Sequence, residues 1–203
     1  MTAMKTSLPR LRTLALLALL GLAPQLQGCV EMAVVGAGAA AIASDDRRSL
    51  GAQTEDKEID VRGESRVNER FGDKVHINAT SYNRNVLLTG EAPDAATKAQ
   101  IERIVREIPN VRGVVNEIQI AGVSSYTARG NDSYLTSKVK ARFIDNGGNF
   151  SANQVKVVTE SCVVYLLGLV THKEADAAVE IARTTGGVQK VVRVFEYIEA
   201  PAK

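Results

Sequence analysis

Val86-Leu87-Leu88-Thr89-Gly90 and Val164-Tyr165-Leu166-Leu167-Gly168 are the two stretches on which the reading of this 203-residue chain turns. They superpose at an offset of 78 without a gap, and the register extends upstream to Ile77 over Val155. Downstream, with one residue of slippage, Val111-x-x-Val114-Val115-x-x-Ile118-x-Ile120 lies over Val188-x-x-Val191-Val192-x-x-Phe195-x-Tyr197. Self-similarity at a fixed distance means two copies of one supersecondary unit.

Each copy runs through the same order of periods. In the first, Ile59, Val67 and Phe71 recur at helical spacing, and Val75 to Ser81 and Asn85 to Thr89 read as strands about the turn Asn83-Arg84-Asn85. Pro93-Asp94 opens a helix with Ile101, Ile104, Val105 and Ile108 on one stripe, Pro109-Asn110 stops it, and Val111 to Ile120 supplies the last strand. In the second copy, Asn131-Asp132-Ser133 is expected to cap a helix carrying Leu135, Val139 and Phe143. Strands follow at Val155 to Thr159 and Val163 to Leu167, then a helix with Ala175, Ala178, Val179 and Ala182 ended by Gly186-Gly187, then a strand from Val188 to Ile198. The order α-β-β-α-β, a hairpin plus a crossover, predicts an α+β fold of two tandem modules. Each has a three-stranded mixed sheet with both helices on one face. A module of about 65 residues buries only around 60% of its extended surface, so each copy alone is expected to be modestly stable.

Ahead of the repeat, Lys5, Arg10 and Arg12 precede the apolar run Leu14 to Ala23, which Pro24 interrupts. The run is too short for a bilayer core, which needs about 20 apolar residues, and it has the parts of an export signal. Leu26-Gln27-Gly28-Cys29 resembles a bacterial lipobox, in which the thiol of Cys29 is acylated and becomes the new amino terminus. Each buried CH₂ contributes roughly 0.8 kcal/mol, so one acyl chain holds only marginally while two or three hold effectively for good. Val30 rather than Asp follows the cysteine, which by resemblance to enteric lipoproteins favours the outer membrane. Gly36-x-Gly38-x-x-Ala41 formally matches a dinucleotide fingerprint, but the anchor seven residues upstream and Ser44-Asp45-Asp46-Arg47-Arg48 downstream leave no room for the βαβ unit it requires. The expected map is a signal peptide over 1–28, a tether over 29–56, a first module over 57–120, a linker over 121–131 and a second module over 132–199.

The chain carries 25 Lys and Arg against 23 Asp and Glu, but three of the cations belong to the signal, leaving 22 against 23. A nucleic-acid binder needs a basic face to neutralise phosphates, and this balance excludes nucleic acid as a partner. With Cys29 taken by lipid, Cys162 has no partner within the chain, so a disulfide framework is excluded and Cys162, in the turn of the second hairpin, is expected to be inert. His76 and His172 lie far apart, neither with a Cys, His or carboxylate at the spacing of a metal helix, and no Gly-x-Ser-x-Gly arrangement appears. No catalytic residue, metal site or cofactor is therefore expected.

A strand ending in Leu-x-Gly at Gly90 and Gly168, a short helix, then Val-x-x-Val-x-x-x-Ile resembles the BON domain. Two copies behind a lipobox resemble the dual BON-domain outer-membrane lipoproteins, the DolP/YraP family, and Asp46-Arg47-Arg48-Ser49-Leu50-Gly51 resembles that family's stretch after the anchor. The resemblance implies a non-enzymatic protein on the periplasmic side of the outer membrane, enriched at division sites and supporting membrane integrity. It also implies binding of anionic phospholipid, phosphatidylglycerol or cardiolipin, through the first helix of the second module. Tyr134 holds the position where better-known members begin that helix with Trp. The contact set so implied is Tyr134, Leu135, Ser137, Lys138, Lys140, Ala141 and Arg142. An alternative is a periplasmic adaptor for envelope assembly or peptidoglycan hydrolysis, with protein partners on the sheet faces or the joint.

The residues themselves distinguish the two copies. Between Ser133 and Ile144 stand Lys138, Lys140 and Arg142 and no acid, whereas the first helix mixes Lys57, Arg62, Arg66 and Arg70 with Glu58, Asp60, Glu64, Glu69 and Asp73. If Leu135, Val139 and Phe143 face the core, Tyr134, Lys138 and Ala141 form an outward stripe flanked by Ser137 and Ile144. An aromatic beside cations suits an anionic lipid surface, at roughly 1 kcal/mol per basic residue near the headgroups.

Overall fold

The computed structural model describes residues 46–145 and 150–199; the expected signal peptide, Cys29 and the tether up to residue 45 lie outside them. In the first module α1 (Leu50–Phe71) leads through a 3-10 turn into β1 (His76–Tyr82) and β2 (Asn85–Ala92), followed by α2 (Ala95–Arg106), β3 (Gly113–Asn116) and β4 (Gln119–Ile120). In the second, α3 (Tyr126–Ile144) is followed by β5 (Val155–Glu160), β6 (Val163–Val170), α4 (His172–Arg183) and β7 (Lys190–Tyr197). Both sheets are mixed: β1 is antiparallel to β2 with Ile77 opposite Gly90, and β5 is antiparallel to β6 with Val155 opposite Gly168. The crossover helices return the chain parallel to the central strand, β3 and β4 beside β2 and β7 beside β6.

The edge strand expected as one piece from Val111 to Ile120 is broken in two. Glu117 N–H donates to Leu88 O at 2.9 Å and Ile118 turns inward to full burial in the core. Period-2 alternation then sorts the repeated stretch between two faces. Val86 and Leu88 join Ile59, Val67, Ile101 and Val105 beneath α1 and α2; Val164 and Leu166 join Val139, Phe143, Ala175 and Ala178 beneath α3 and α4.

The residues of opposite parity do not meet water. Leu87 and Tyr82 pack against Tyr165 and Leu167, with Val158, Val192 and Val194 around them, so the two sheets lie back to back with the helices on the outside. This is why β6 reads Val-Val-Tyr-Leu-Leu-Gly-Leu-Val with no polar face: it is covered on both sides. Burial here pushes the Tyr165 phenol up to about 12. The rim is polar: Asn83 and Asn85 donate to the Glu196 carboxylate at 3.1 and 2.7 Å, Lys156 Nζ donates to Ser81 O at 3.2 Å, and Asn78 Nδ2 donates to Glu160 at 2.9 Å.

Two helices begin earlier than the periodicity indicated. α1 starts at Leu50, capped by Ser49, inside the expected tether, and α3 starts at Tyr126, capped by Ser125, inside the expected linker. Asn131-Asp132-Ser133 therefore lies within α3 and caps nothing. The added turns carry no apolar stripe, which is why periodicity missed them; polar contacts hold them. Arg129 donates to Ser124 Oγ and O and lies over the Tyr126 ring at 5.2 Å.

Candidate functional site

The early starts place one buried aspartate of each first helix beneath its hairpin. Asn83 and Arg84, like Ser161 and Cys162, have positive φ at both turn positions, the mark of a type I′ hairpin. Their N–H groups point inward. Asp56 accepts those of Asn83 and Arg84 at 2.7 Å each, and Asp132 accepts those of Ser161 and Cys162 at 2.9 and 2.8 Å. Cys162 thus stands in the hairpin turn, half-buried, with its thiol 3.5 Å from the Asn131 amide.

On this frame α3 lays Leu135, Val139 and Phe143 into the core and leaves its other side open. Leu135, at 3% exposure, is a core residue in contact range of Gly187 and is removed from the implied contact set. Tyr134 is 61% exposed, and Ser137, Lys140, Ala141 and Arg142 are exposed around it. Lys138 lies 5.5 Å from the Tyr134 ring centroid and donates to Gly186 O at 2.6 Å, while Arg142 donates to Ile181 O at 2.7 Å. Both cations cover carbonyls at the C-terminal end of α4, where the helix dipole favours them. Lys140 makes no hydrogen bond or ion pair among the described residues. It lines a cleft of about 280 Å³ with Arg48, Tyr82, Ile144 and Lys156. Arg48 there is paired with Asp46 and Asp56, and Lys156 with Asp60. Burial lowers the Lys156 pKa and raises that of Asp60, each opposed by the other's charge.

Two functional candidates escaped the sequence. The first is Tyr126, 88% exposed, which together with Ile144, already expected at the flank of the stripe and 79% exposed, extends the apolar groups of the open side of α3 beyond Tyr134. The signal was present in Ser125, an N-cap residue followed by a helix-compatible stretch.

The second is the clamp at the start of the described chain. Arg47 grips Glu174 through two bonds of 2.8 and 2.7 Å and donates to Leu169 O at 2.7 Å, while Arg48 lies over the Tyr82 ring at 3.8 Å. The expected tether is thus fixed on both modules from Arg47 onward. The Arg47 guanidinium holds the Glu174 carboxyl down at about 2, aided by the Thr171 N–H and hydroxyl. Because the folded value lies below the unfolded one, the pair stabilises fully above the ordinary carboxylate range, and its contribution fades as pH falls toward about 2. Glu174→Gln is expected to lower stability by about 1 kcal/mol at pH 6, the modest value of a partly solvated pair. The difference in melting temperature from wild type should shrink steadily between pH 5 and pH 2.

Comparison with known proteins matches the geometry. The BON domain family model matches twice, at residues 48–122 and 131–199. Outer membrane lipoprotein DolP of Haemophilus influenzae is 36% identical over 196 residues, covering 95% of this chain and 100% of that one. The 21 kDa hemolysin of Actinobacillus pleuropneumoniae is 31% identical over 156 residues, 76% of this chain and 80% of that one. Among solved structures, CdsD, a structural protein of the type III secretion system of Chlamydia trachomatis, aligns at 15% identity with a TM-score of 0.27, covering 70% of this chain and 93% of that chain. With the family model matched in both modules and an outer-membrane relative 36% identical over nearly the whole chain, the chain belongs to the BON-domain family, as a two-copy member of its outer-membrane lipoproteins.

Proposed function

We propose that this chain is a lipid-anchored, non-enzymatic protein of the outer membrane, acylated at Cys29, that reads anionic phospholipid through the open side of α3. The carrying observation is a combination of charge and exposure. Over Tyr126–Ile144 the chain has four cations, Arg129, Lys138, Lys140 and Arg142, and a single acid, Asp132, which is buried beneath the hairpin. Tyr126, Tyr134 and Ile144 stand exposed among them, and no described element covers them. α1 has the same place in the first module, but it carries six acids against four cations and no exposed aromatic. Lys140, Tyr134, Ser137 and Ala141 form the contact, with Tyr126 and Ile144 at its ends; Lys138 and Arg142 contribute charge from the flank while holding α4.

Weak binding suffices for a molecule already held at the surface, because the anchor makes the second contact intramolecular. Residues 46–203, freed of the anchor, should bind vesicles containing phosphatidylglycerol and bind purely zwitterionic vesicles far more weakly. Tyr134→Glu should weaken the former about tenfold, the equivalent of 1.4 kcal/mol. Equal binding to both vesicles, or an unchanged affinity in the variant, would overturn the reading. A protein adaptor using the sheet faces is disfavoured because those faces are spent on each other.

A further inference from the structure

Where the two modules meet, β1, the end of β2 and the end of β5 bring together three side chains that lie far apart in sequence. His76 faces Glu91 across the hairpin, their register positions being directly opposite, and Glu160 arrives from the other module. One donor atom from each lies within 4.8 Å of the other two. Both carboxylates are only 3% exposed.

The hydrogen bonds that the protein gives each carboxylate run through one oxygen. Glu91 accepts from Ser124 N–H at 3.1 Å, and Glu160 from Asn78 Nδ2 at 2.9 Å; in each case one oxygen, Oε2, takes every bond. The Oε1 of each has no hydrogen-bond partner among the described residues. The His76 Nδ1 to Glu91 Oε2 separation is 3.3 Å, longer than the 2.7–2.9 Å usual for a charged N–H···O⁻ pair. It matches the edge of a tetrahedron of donors about 2.0–2.1 Å from one ion, which is about 3.3 Å.

Charge argues the same way. Two carboxylates, each 3% exposed, share one imidazole, so two negative charges are gathered where a single cationic partner is at hand. Arg129 lines the adjoining cleft of about 360 Å³, but its guanidinium is committed to Ser124.

We propose that His76, Glu91 and Glu160 form a three-ligand site for one zinc(II) ion joining the two modules, with water from the adjoining cleft completing the coordination. One imidazole nitrogen with two carboxylates suits zinc, whereas calcium and magnesium take sites built wholly of oxygen. The ion neutralises the carboxylate pair and ties β1 and β2 to β5, so that its gain or loss sets how firmly the modules are joined. Sequence spacing left His76 without a ligand-spaced partner; folding supplies two.

The test uses the full chain in detergent, stripped with chelator and titrated calorimetrically with zinc(II), calcium(II) and magnesium(II). Zinc should bind one to one and raise the melting temperature, with calcium and magnesium at least tenfold weaker. Glu160→Gln, nearly isosteric, and His76→Gln should each weaken zinc binding at least tenfold, while Cys162→Ser and His172→Gln should leave it unchanged. Circular dichroism and melting of the stripped variants establish that they are folded. Absence of one-to-one zinc binding in the wild-type chain, or binding retained within threefold in folded Glu160→Gln and His76→Gln, would overturn the proposal. So would loss of binding in Cys162→Ser or His172→Gln. Vesicle binding through α3 is measured separately and stands or falls on its own.

Discussion

Replacing Gly90 by alanine should cost roughly 3 kcal/mol of unfolding free energy, combining about 1–3 for the backbone conformation with about 1–3 for overpacking. Gly90 has φ +110°, a region that side-chain-bearing residues rarely adopt, and a Cβ there would stand 1.9 Å from His76 O and 2.8 Å from its carbonyl carbon. Neither atom can retreat, because both belong to the backbone of β1, paired along its length with β2. The repeat supplies an internal comparison. A Cβ on Gly168 would meet Gln154 O at 2.5 Å, a residue whose place corresponds to that of His76, but without positive φ. Gly168→Ala should therefore be destabilising by less, about 1–3 kcal/mol from overpacking alone. Urea denaturation followed by far-ultraviolet circular dichroism checks the order, and a Gly90→Ala cost below that of Gly168→Ala would contradict it. The Leu-x-Gly signature thus records a close backbone approach in each hairpin.

Asp56→Ala is expected to be at least as damaging, at about 3–5 kcal/mol, the usual cost of breaking a buried charge pair by removing one partner. Asp56 is 2% exposed and satisfies four donors: Ser81 Oγ at 2.6 Å, and Asn83 N–H, Arg84 N–H and Arg48 Nη1 at 2.7 Å each. Its loss strands two turn N–H groups and removes one of the two carboxylates paired with Arg48. Asp132 does the same work for Ser161 and Cys162 without a paired cation among the described residues, so Asp132→Ala should cost only about 2 kcal/mol. Parallel urea titrations of the two variants decide the matter. Equal costs, or a larger one for Asp132→Ala, would show that the charge pair with Arg48 adds nothing.

Much of the candidate site was legible because helical period and exposure follow from local pattern. Leu135, Val139 and Phe143 at i, i+4 and i+8 placed the buried side of α3, and that alone put Tyr134 and Ala141 outside with Ser137 and Ile144 beside them, whereas Lys138, expected on the same stripe, is half-buried with its ammonium on Gly186 O. The same logic marked Leu135 as core although the resemblance counted it among the contacts. Tyr126 was hidden because the first two turns of α3 are held by Ser125, Arg129 and Asp132, polar side chains that leave no apolar stripe. The engagement of Lys138 and Arg142 with α4 was hidden for a different reason. Their acceptors, Gly186 O and Ile181 O, are backbone atoms about 40–50 residues away, and no side-chain pattern announces a carbonyl.

The sequence by itself determined the doubled module, the order of its elements, the inward residues of each helix and the paired glycines, because the period of an element and the turn chemistry that ends it are local properties. Tertiary structure alone decided that the sheets lie back to back, that Arg47 fastens the chain to Glu174, and that His76 meets Glu91 and Glu160. Each of these depends on two segments arriving at one place, and a contact between distant segments is set by the packing of whole surfaces rather than by the spacing of residues along the chain.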